Sequence, residues 1–227
     1  MTYLKKIAII ASLICYSTAL SQRHFDPNIA FGAKGGMTIS RSSFSPSVTQ
    51  SMTKGALMGV TFRYMEEKNF GVIIELNMEQ RGWKENFEGA PFNYERTFTY
   101  MQIPMLTHIY FGNTKFRGFF NLGPEIGLMI GDKSKSNFDV NNIKAIPNFP
   151  AKRQTAQFTL PVNSIFDYGI SAGLGGEYII KGKNSIMLEG RFYYGLGNVF
   201  SSHKADIFSA SSGMSIMVSL GYMYRIK

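Results

Sequence analysis

Apolar and polar residues alternate with a period of two along eight segments of this chain, and almost none of it carries the 3.6-residue apolar rhythm of a helix. The segments are residues 31–39, 56–64, 70–83, 97–111, 116–131, 167–180, 186–196 and 216–226. In the seventh, Ile186, Leu188, Gly190, Phe192, Tyr194 and Leu196 form one stripe, and Met187, Glu189, Arg191, Tyr193 and Gly195 the other. The eighth sets Ile216, Val218, Leu220, Tyr222, Tyr224 and Ile226 against Met217, Ser219, Gly221, Met223 and Arg225. The sixth sets Tyr168, Ile170, Leu174 and Tyr178 against Asp167, Ser171, Gly173 and Glu177. A chain patterned in this way is all-β.

Alternation alone fits a soluble barrel or a sandwich as well as a membrane barrel, because each has one apolar and one polar face. The stripes decide between them. The apolar stripe is bulky and aromatic, whereas the polar one mixes glycine and serine with full charges: Lys34, Glu75, Glu79, Arg81, Arg117, Glu125, Glu177, Glu189 and Arg191. Turning the bulky stripe inward would leave many glycines on water-facing strands, where they are poor strand formers. Turning it outward into lipid lets small residues and opposite charges share a narrow lumen. Several segments also exceed the about 9 to 11 residues that a tilted strand needs to cross a bilayer. The reading is therefore an eight-stranded antiparallel transmembrane β-barrel.

Connection lengths give an independent check. Residues 65–69, 112–115 and 181–184 are short turns, and 40–53, 84–96, 132–161 and 201–212 are long. Strict alternation of short and long is the pattern of short periplasmic turns and longer extracellular loops. Before the barrel comes an address: Lys5 and Lys6, an apolar run over residues 7–14, then Ala19 and Ser21 at the spacing of a cleavage site before Gln22. The expected organisation is a signal peptide at 1–21, a periplasmic segment at 22–28 and the barrel at 29–227, integral to the outer membrane of a Gram-negative bacterium. The sole cysteine, Cys15, lies in the leader, so disulfides, cysteine metal sites and cysteine nucleophiles drop out of the mature chain. That mature chain keeps 22 Lys and Arg against 15 Asp and Glu, or +7. No nucleic-acid motif accompanies this charge. Gly221 with Tyr224 and Ile226 has the spacing of a signal for the barrel assembly machinery, although the chain finishes in Arg225, Ile226 and Lys227 rather than an aromatic residue.

Several runs together resemble the outer-membrane β-barrel proteins of Bacteroidetes grouped as the PorT or porin family. They are Phe31-Gly32-Ala33-Lys34-Gly35-Gly36, the Glu75 to Gly82 run Glu-Leu-Asn-Met-Glu-Gln-Arg-Gly, Tyr100-Met101-Gln102-Ile103-Pro104-Met105-Leu106, Gly123-Pro124-Glu125-Ile126-Gly127 and Gly173-Leu174-Gly175-Gly176-Glu177-Tyr178. The resemblance spans nearly the whole mature chain, and departs at His108, where a lysine often stands. It implies compartment, barrel and an interior charge network, not a reaction.

The glycine runs precede no helix and no Gly-Lys-Ser/Thr, so they read as strand glycines rather than nucleotide loops. His108, inward with Gln102 and Tyr110, is either a hydrogen-bonded interior histidine or a general base. His24, His108 and His203 are the only histidines, and sequence places no Ser-His-acid arrangement around them. Lys34, Glu75, Glu79, Arg81, Arg117, Glu125, Glu177, Glu189 and Arg191 read as an ion-pair plug rather than an ion path, because eight strands enclose an interior that side chains just fill. In the loop at 132–161, Lys133, Lys135, Lys144, Lys152 and Arg153 stand among Phe138, Ile143, Ile146 and Phe149. They suit lipid or lipopolysaccharide phosphates or an acidic protein partner, or else belong to a solvated loop. The loop at 40–53, rich in serine and threonine, reads as flexible and uninformative. The expectation is a non-enzymatic structural or surface-interaction protein without cofactor or metal. An accessory to a secretion or small-solute transport complex is the alternative, then a lipid-modifying barrel enzyme.

Overall fold

The computed structural model describes residues 27–150, 153–204 and 206–226. The expected leader, the segment up to residue 26 and Lys227 lie outside the described residues. β1 (Asn28–Ser45), β3 (Thr53–Met65), β4 (Phe70–Glu85), β5 (Tyr94–Gly112), β6 (Phe116–Ser136), β7 (Phe166–Lys181), β8 (Asn184–Gly195) and β9 (Ala210–Arg225) form one antiparallel sheet. A two-residue β2 (Gln50–Ser51) adds to the upper end of β4. β1 pairs with both β3 and β9, and β4 pairs with both β3 and β5, so the sheet closes on itself. Closure leaves the long strands no free edge, which is what lets a sheet stand in lipid.

The pleat sorts the stripes as their chemistry requires. Leu174, Leu220, Leu188, Phe120 and Leu122 face outward and are exposed, while Glu75, Glu79, Glu125, Glu177, Glu189 and Arg191 are buried inside. A lumen this narrow needs missing side chains. A Cβ on Gly59 would stand 2.0 Å from Asn77 Oδ1, and one on Gly173 would stand 2.6 Å from Glu189 Oε1. Pro104 and Pro124 fall where the β5 ladders lapse, next to Leu76 on one side and Gly123 on the other. Proline offers no N–H to a ladder, so the sheet skips there rather than burying an unpaired carbonyl in lipid.

The strands run further than the alternation indicated. β1 continues to Ser45 and stays paired with β9 as far as Ala210, which overturns the reading of 40–53 as a flexible loop. Ser42 and Gln50 exchange hydrogen bonds, with Gln50 Nε2 donating to Ser42 O at 2.5 Å and Ser42 N donating to Gln50 Oε1 at 3.1 Å. The long connections then fold over the barrel as an apolar cap. Phe44, Trp83 and Tyr94, at the long-loop ends of β1, β4 and β5, join Val48, Phe87, Phe158, Val199, Phe200 and Phe208 of the four long connections in one buried cluster. Trp83 meets Phe44 at 5.1 Å and Phe200 at 5.9 Å, and Tyr94 meets Phe158 at 4.5 Å. Sequence periodicity carried no trace of the loop members of this cap, because loop residues that pack on one another need no fixed spacing.

Candidate functional site

Inside the barrel, strand parity delivers charged side chains to one axis, where water is scarce and each must find a partner. Lys34, Glu75, Glu189 and Arg191 make the central group. Arg191 donates from Nη1 and Nη2 to the two oxygens of Glu75 at 2.7 and 2.9 Å, and from Nη2 to Glu189 Oε2 at 2.8 Å. Lys34 Nζ donates to Glu75 Oε2 at 2.6 Å. Two cations thus meet two carboxylates in a locally neutral group.

Towards the long-loop end, Arg81 Nη2 donates to Asp167 Oδ2 at 3.0 Å, and Arg81 Nε lies 3.7 Å from Glu79 Oε2. Its guanidinium is held between the rings of Tyr100 and Tyr193, at 4.4 and 4.1 Å. Glu125 accepts from Ser171 Oγ at 2.5 Å, and no cation stands within 4.0 Å of it among the described residues. Towards the short-turn end, Arg63 reaches across the lumen to grip both oxygens of Glu177 at 2.9 Å.

Sequence reasoning missed Arg63 and Asp167, although the signal was present: each lies on the polar stripe of its segment. Arg117, grouped with the ion pairs on parity alone, has no ion pair among the described residues. It lies over the Tyr110 ring at 4.7 Å instead. The reason is that Arg63 has already engaged both oxygens of Glu177, the acid opposite Arg117 in the β6–β7 ladder.

His108 is fully buried. Its Nδ1 is 2.7 Å from Asn121 Oδ1, and Asn121 Nδ2 donates to Glu189 Oε1 at 2.7 Å, so the ring is tied through an amide to the central charges. Phe119 covers its face at 5.3 Å. The outer loop carries a different constellation that sequence did not place, Ser201, His203 and Asp206. Ser201 Oγ lies 2.8 Å from His203 Nδ1 and donates to Asp206 Oδ2 at 2.5 Å, while Nδ1 is itself 3.2 Å from the same carboxylate oxygen. A serine relay sets hydroxyl and carboxylate on opposite ring nitrogens. Here both meet Nδ1, an arrangement that braces a loop rather than activating a hydroxyl. The Ser201 hydroxyl and the His203 backbone N–H hold the Asp206 carboxyl below its ordinary range.

The long-loop rim separates the basic residues of the 132–161 connection. β6 carries an extra residue where Tyr100 pairs with Met129 but Thr99 pairs with Gly131. This bulge reverses the parity beyond it. Asp132 therefore turns inward to Arg96, with Arg96 Nη2 donating to its Oδ2 at 2.7 Å, and Lys133 and Lys135 are left exposed beside Thr97 and Glu95. Lys84 pairs with Glu95 from the other side. Lys144 is exposed. Lys152 lies outside the described residues. Arg153 is not a free phosphate contact: Nη2 donates to Glu85 Oε2 at 2.6 Å, Nη1 to Asn86 O at 2.8 Å, and its guanidinium covers the Phe87 ring at 4.1 Å. Phe138, Ile143 and Phe149 pack against the cap rather than presenting themselves to a partner.

The family model for outer membrane protein beta-barrel domains matches residues 20–201. The chain belongs to that family. It is accordingly an integral outer-membrane protein. No curated protein sequence matches it. Solved structures similar to it include Ail, the attachment invasion locus protein of Yersinia pestis, in complex with the heparin analogue sucrose octasulfate, at 12% identity and a TM-score of 0.41 over 86% of this chain and 99% of that one. OprG of Pseudomonas aeruginosa is similar at 14% identity and a TM-score of 0.48, over 86% of this chain and 95% of its own. The outer membrane enzyme PagL is similar at 9% identity and a TM-score of 0.40, over 83% and 97%.

Proposed function

We propose that this barrel is a non-conducting, non-enzymatic outer-membrane protein that acts through its outer surface, against lipopolysaccharide phosphates and a protein partner. The observation that carries the reading is the double obstruction of the lumen, by the ion-pair groups around Arg191 and Arg81 and by the aromatic cap above them. The cavity between the two, lined by Arg81, Phe98, Tyr100 and Asp167, has about 10 Å³, at the threshold for a single water. In planar bilayers the purified protein is expected to give no steady conductance above the bare membrane, and large, steady single-channel currents would overturn the reading.

The rim patch of Lys84, Lys133 and Lys135 sits beyond the outward apolar residues Met78 and Ile130, at the level where phosphates of the outer leaflet lie. At about 1 kcal/mol for each lysine near such a surface, Lys133→Gln with Lys135→Gln is expected to weaken lipopolysaccharide binding by roughly tenfold or more at low salt. Titration of the purified barrel with lipopolysaccharide checks this, and equal binding by variant and parent would remove the patch from consideration.

Of the narrower readings, the one suggested by the PorT-type motifs, an accessory of a secretion or small-solute transport complex, is favoured by one feature. Leu160, Pro161, Val162 and Ile207 line an open apolar groove at the long-loop end, beside Asn163 and Asp206. Mild detergent extraction that brings down a stoichiometric partner, lost on replacing Ile207 with Asp, supports that role.

A further inference from the structure

The ring has no edge at membrane depth, but closure covers a strand only as far as its neighbours run. Where strands project beyond shorter neighbours at the long-loop end, the exposed side of the backbone needs other partners, and most of it has them. Gln50 meets the far side of β1 at Ser42, while β2 and the hydroxyls of Thr38 and Ser40 meet β4 between Gln80 and Glu85. Val199 N donates to Ser211 O at 3.0 Å and Ser211 N to Asn198 Oδ1 at 2.8 Å, so the projecting end of β9 is met as well.

β6 is the exception. Its pairing with β7 stops at Leu128 opposite Phe166, with one further bond from Met129 N to Ile165 O at 2.6 Å. The strand nevertheless runs on to Ser136, paired with β5 alone from Gly131 opposite Thr99 to Ser136 opposite Tyr94. Among the described residues no group bonds to the main chain of this stretch from its far side, and residues 132–136 are all exposed. The connection that follows does not double back over it. Asn137 Nδ2 donates to Pro91 O at 2.7 Å, towards the start of β5, and Phe138, Ile143 and Phe149 pack into the cap.

An unpaired strand edge is a template for one more strand. Charge selects which strand. One row across the sheet reads Lys84, Glu95, Lys135, alternating in sign and ending in a cation at the edge, and Lys133 follows two residues along. Neither edge lysine has an ion pair among the described residues. Opposite charges facing one another across strands are favourable and like charges unfavourable. A second copy paired edge to edge would set these lysines against their own counterparts, whereas a strand with acidic residues at alternate positions continues the row.

We propose that the free edge of β6 over residues 130–136 takes an extended acidic segment of a protein partner as an added strand. Main-chain hydrogen bonds supply the affinity and the lysines the choice of partner. The inference rests on the proposed action through the outer surface and names the chemistry of the protein partner in that reading.

The test uses the full barrel in nonionic detergent and, as probe, the acetylated and amidated peptide Thr-Glu-Val-Glu-Val-Glu-Thr. Calorimetric titration at low salt is expected to give saturable binding at one site, and hydrogen exchange is expected to slow in residues 130–136 but not in the already covered residues 41–45. The same peptide N-methylated at each glutamate and valine keeps its charges, loses those backbone donors, and is expected to bind roughly tenfold more weakly or worse. Lys133→Gln with Lys135→Gln is expected to weaken the unmethylated peptide by roughly fivefold. No saturable binding, equal binding of the methylated peptide, or binding without slowed exchange in residues 130–136 overturns the proposal. Slowed exchange there on raising the concentration of the barrel alone also overturns it, since a second copy then fills the edge. Lipopolysaccharide can hold the lysine heads but offers no strand, so it is expected to leave that exchange unchanged, and equal slowing by lipopolysaccharide overturns the pairing. Each of these failures leaves the non-conducting reading standing, which the planar-bilayer recordings test by themselves.

Discussion

Replacing Arg191 with alanine is expected to cost about 3–5 kcal/mol of barrel stability, the ordinary penalty for removing one member of a buried charge group. The guanidinium makes bidentate contact with Glu75 and reaches Glu189 as well, and all three side chains are almost fully excluded from solvent. Without it, Lys34 remains 2.6 Å from Glu75 but 3.9 Å from Glu189, so one carboxylate keeps a close cation and the other is left with the neutral Asn121 amide. Equilibrium unfolding in lipid vesicles, followed by the fluorescence of Trp83, the chain's one tryptophan, reads the loss directly. Trp83 sits in the cap and Arg191 in the lumen below it, so the signal reports whether the two unfold together. A double-mutant cycle supplies the control: Arg191→Met combined with Glu75→Gln should cost clearly less than the two single changes added together. A loss below about 1 kcal/mol, the scale of a solvated ion pair, would mean that water reaches these charges and that the lumen is not a plug.

Strand parity made the inward face legible before any coordinates. Once Glu189 and Arg191 are known to point the same way along β8, and Glu75 the same way along β4, their presence in one lumen follows from closure alone. What parity cannot give is height and tilt, and these decide who meets whom. Arg63 and Arg117 are both candidates for Glu177. The cross-lumen reach of Arg63 wins, and that outcome depends on the three-dimensional path of β3 relative to β7. The cap was illegible for another reason. Phe87, Phe158, Phe200 and Phe208 sit in connections with no period, and their only signal is that phenylalanine is a poor choice for a solvated loop. The bulge that turns Lys133 and Lys135 outward was equally hidden, because one extra residue in β6 is invisible until its partner strand fixes the register.

Placing an arginine on the outer face tests the assignment on which everything else rests. Leu174 lies midway along β7 between the outward aromatics Phe166 and Tyr168 on one side and Tyr178 on the other, and it is 70% exposed. In water an exposed leucine changed to arginine would be close to neutral. At the midplane of a bilayer the same change costs about 2–4 kcal/mol, falling towards zero near the interfaces. Leu174→Arg is therefore expected to lower stability in vesicles by about 2–4 kcal/mol, with a clearly smaller effect for Tyr178→Arg nearer the short-turn end. Paired with this is the opposite change inside. Glu189→Leu removes a carboxylate that accepts from Arg191 and Asn121, and should destabilise the barrel although it makes the chain more apolar. If the stripes faced the other way, Leu174→Arg would still destabilise, by burying a charge in an apolar core, but Glu189→Leu would fall on a wetted surface and be close to neutral. The substitution in β8 thus decides which side of the sheet is lipid, because making the chain more apolar there lowers stability only where Glu189 faces a lumen of paired charges, and the smaller cost expected at Tyr178 marks the arginine penalty as one of depth in a bilayer.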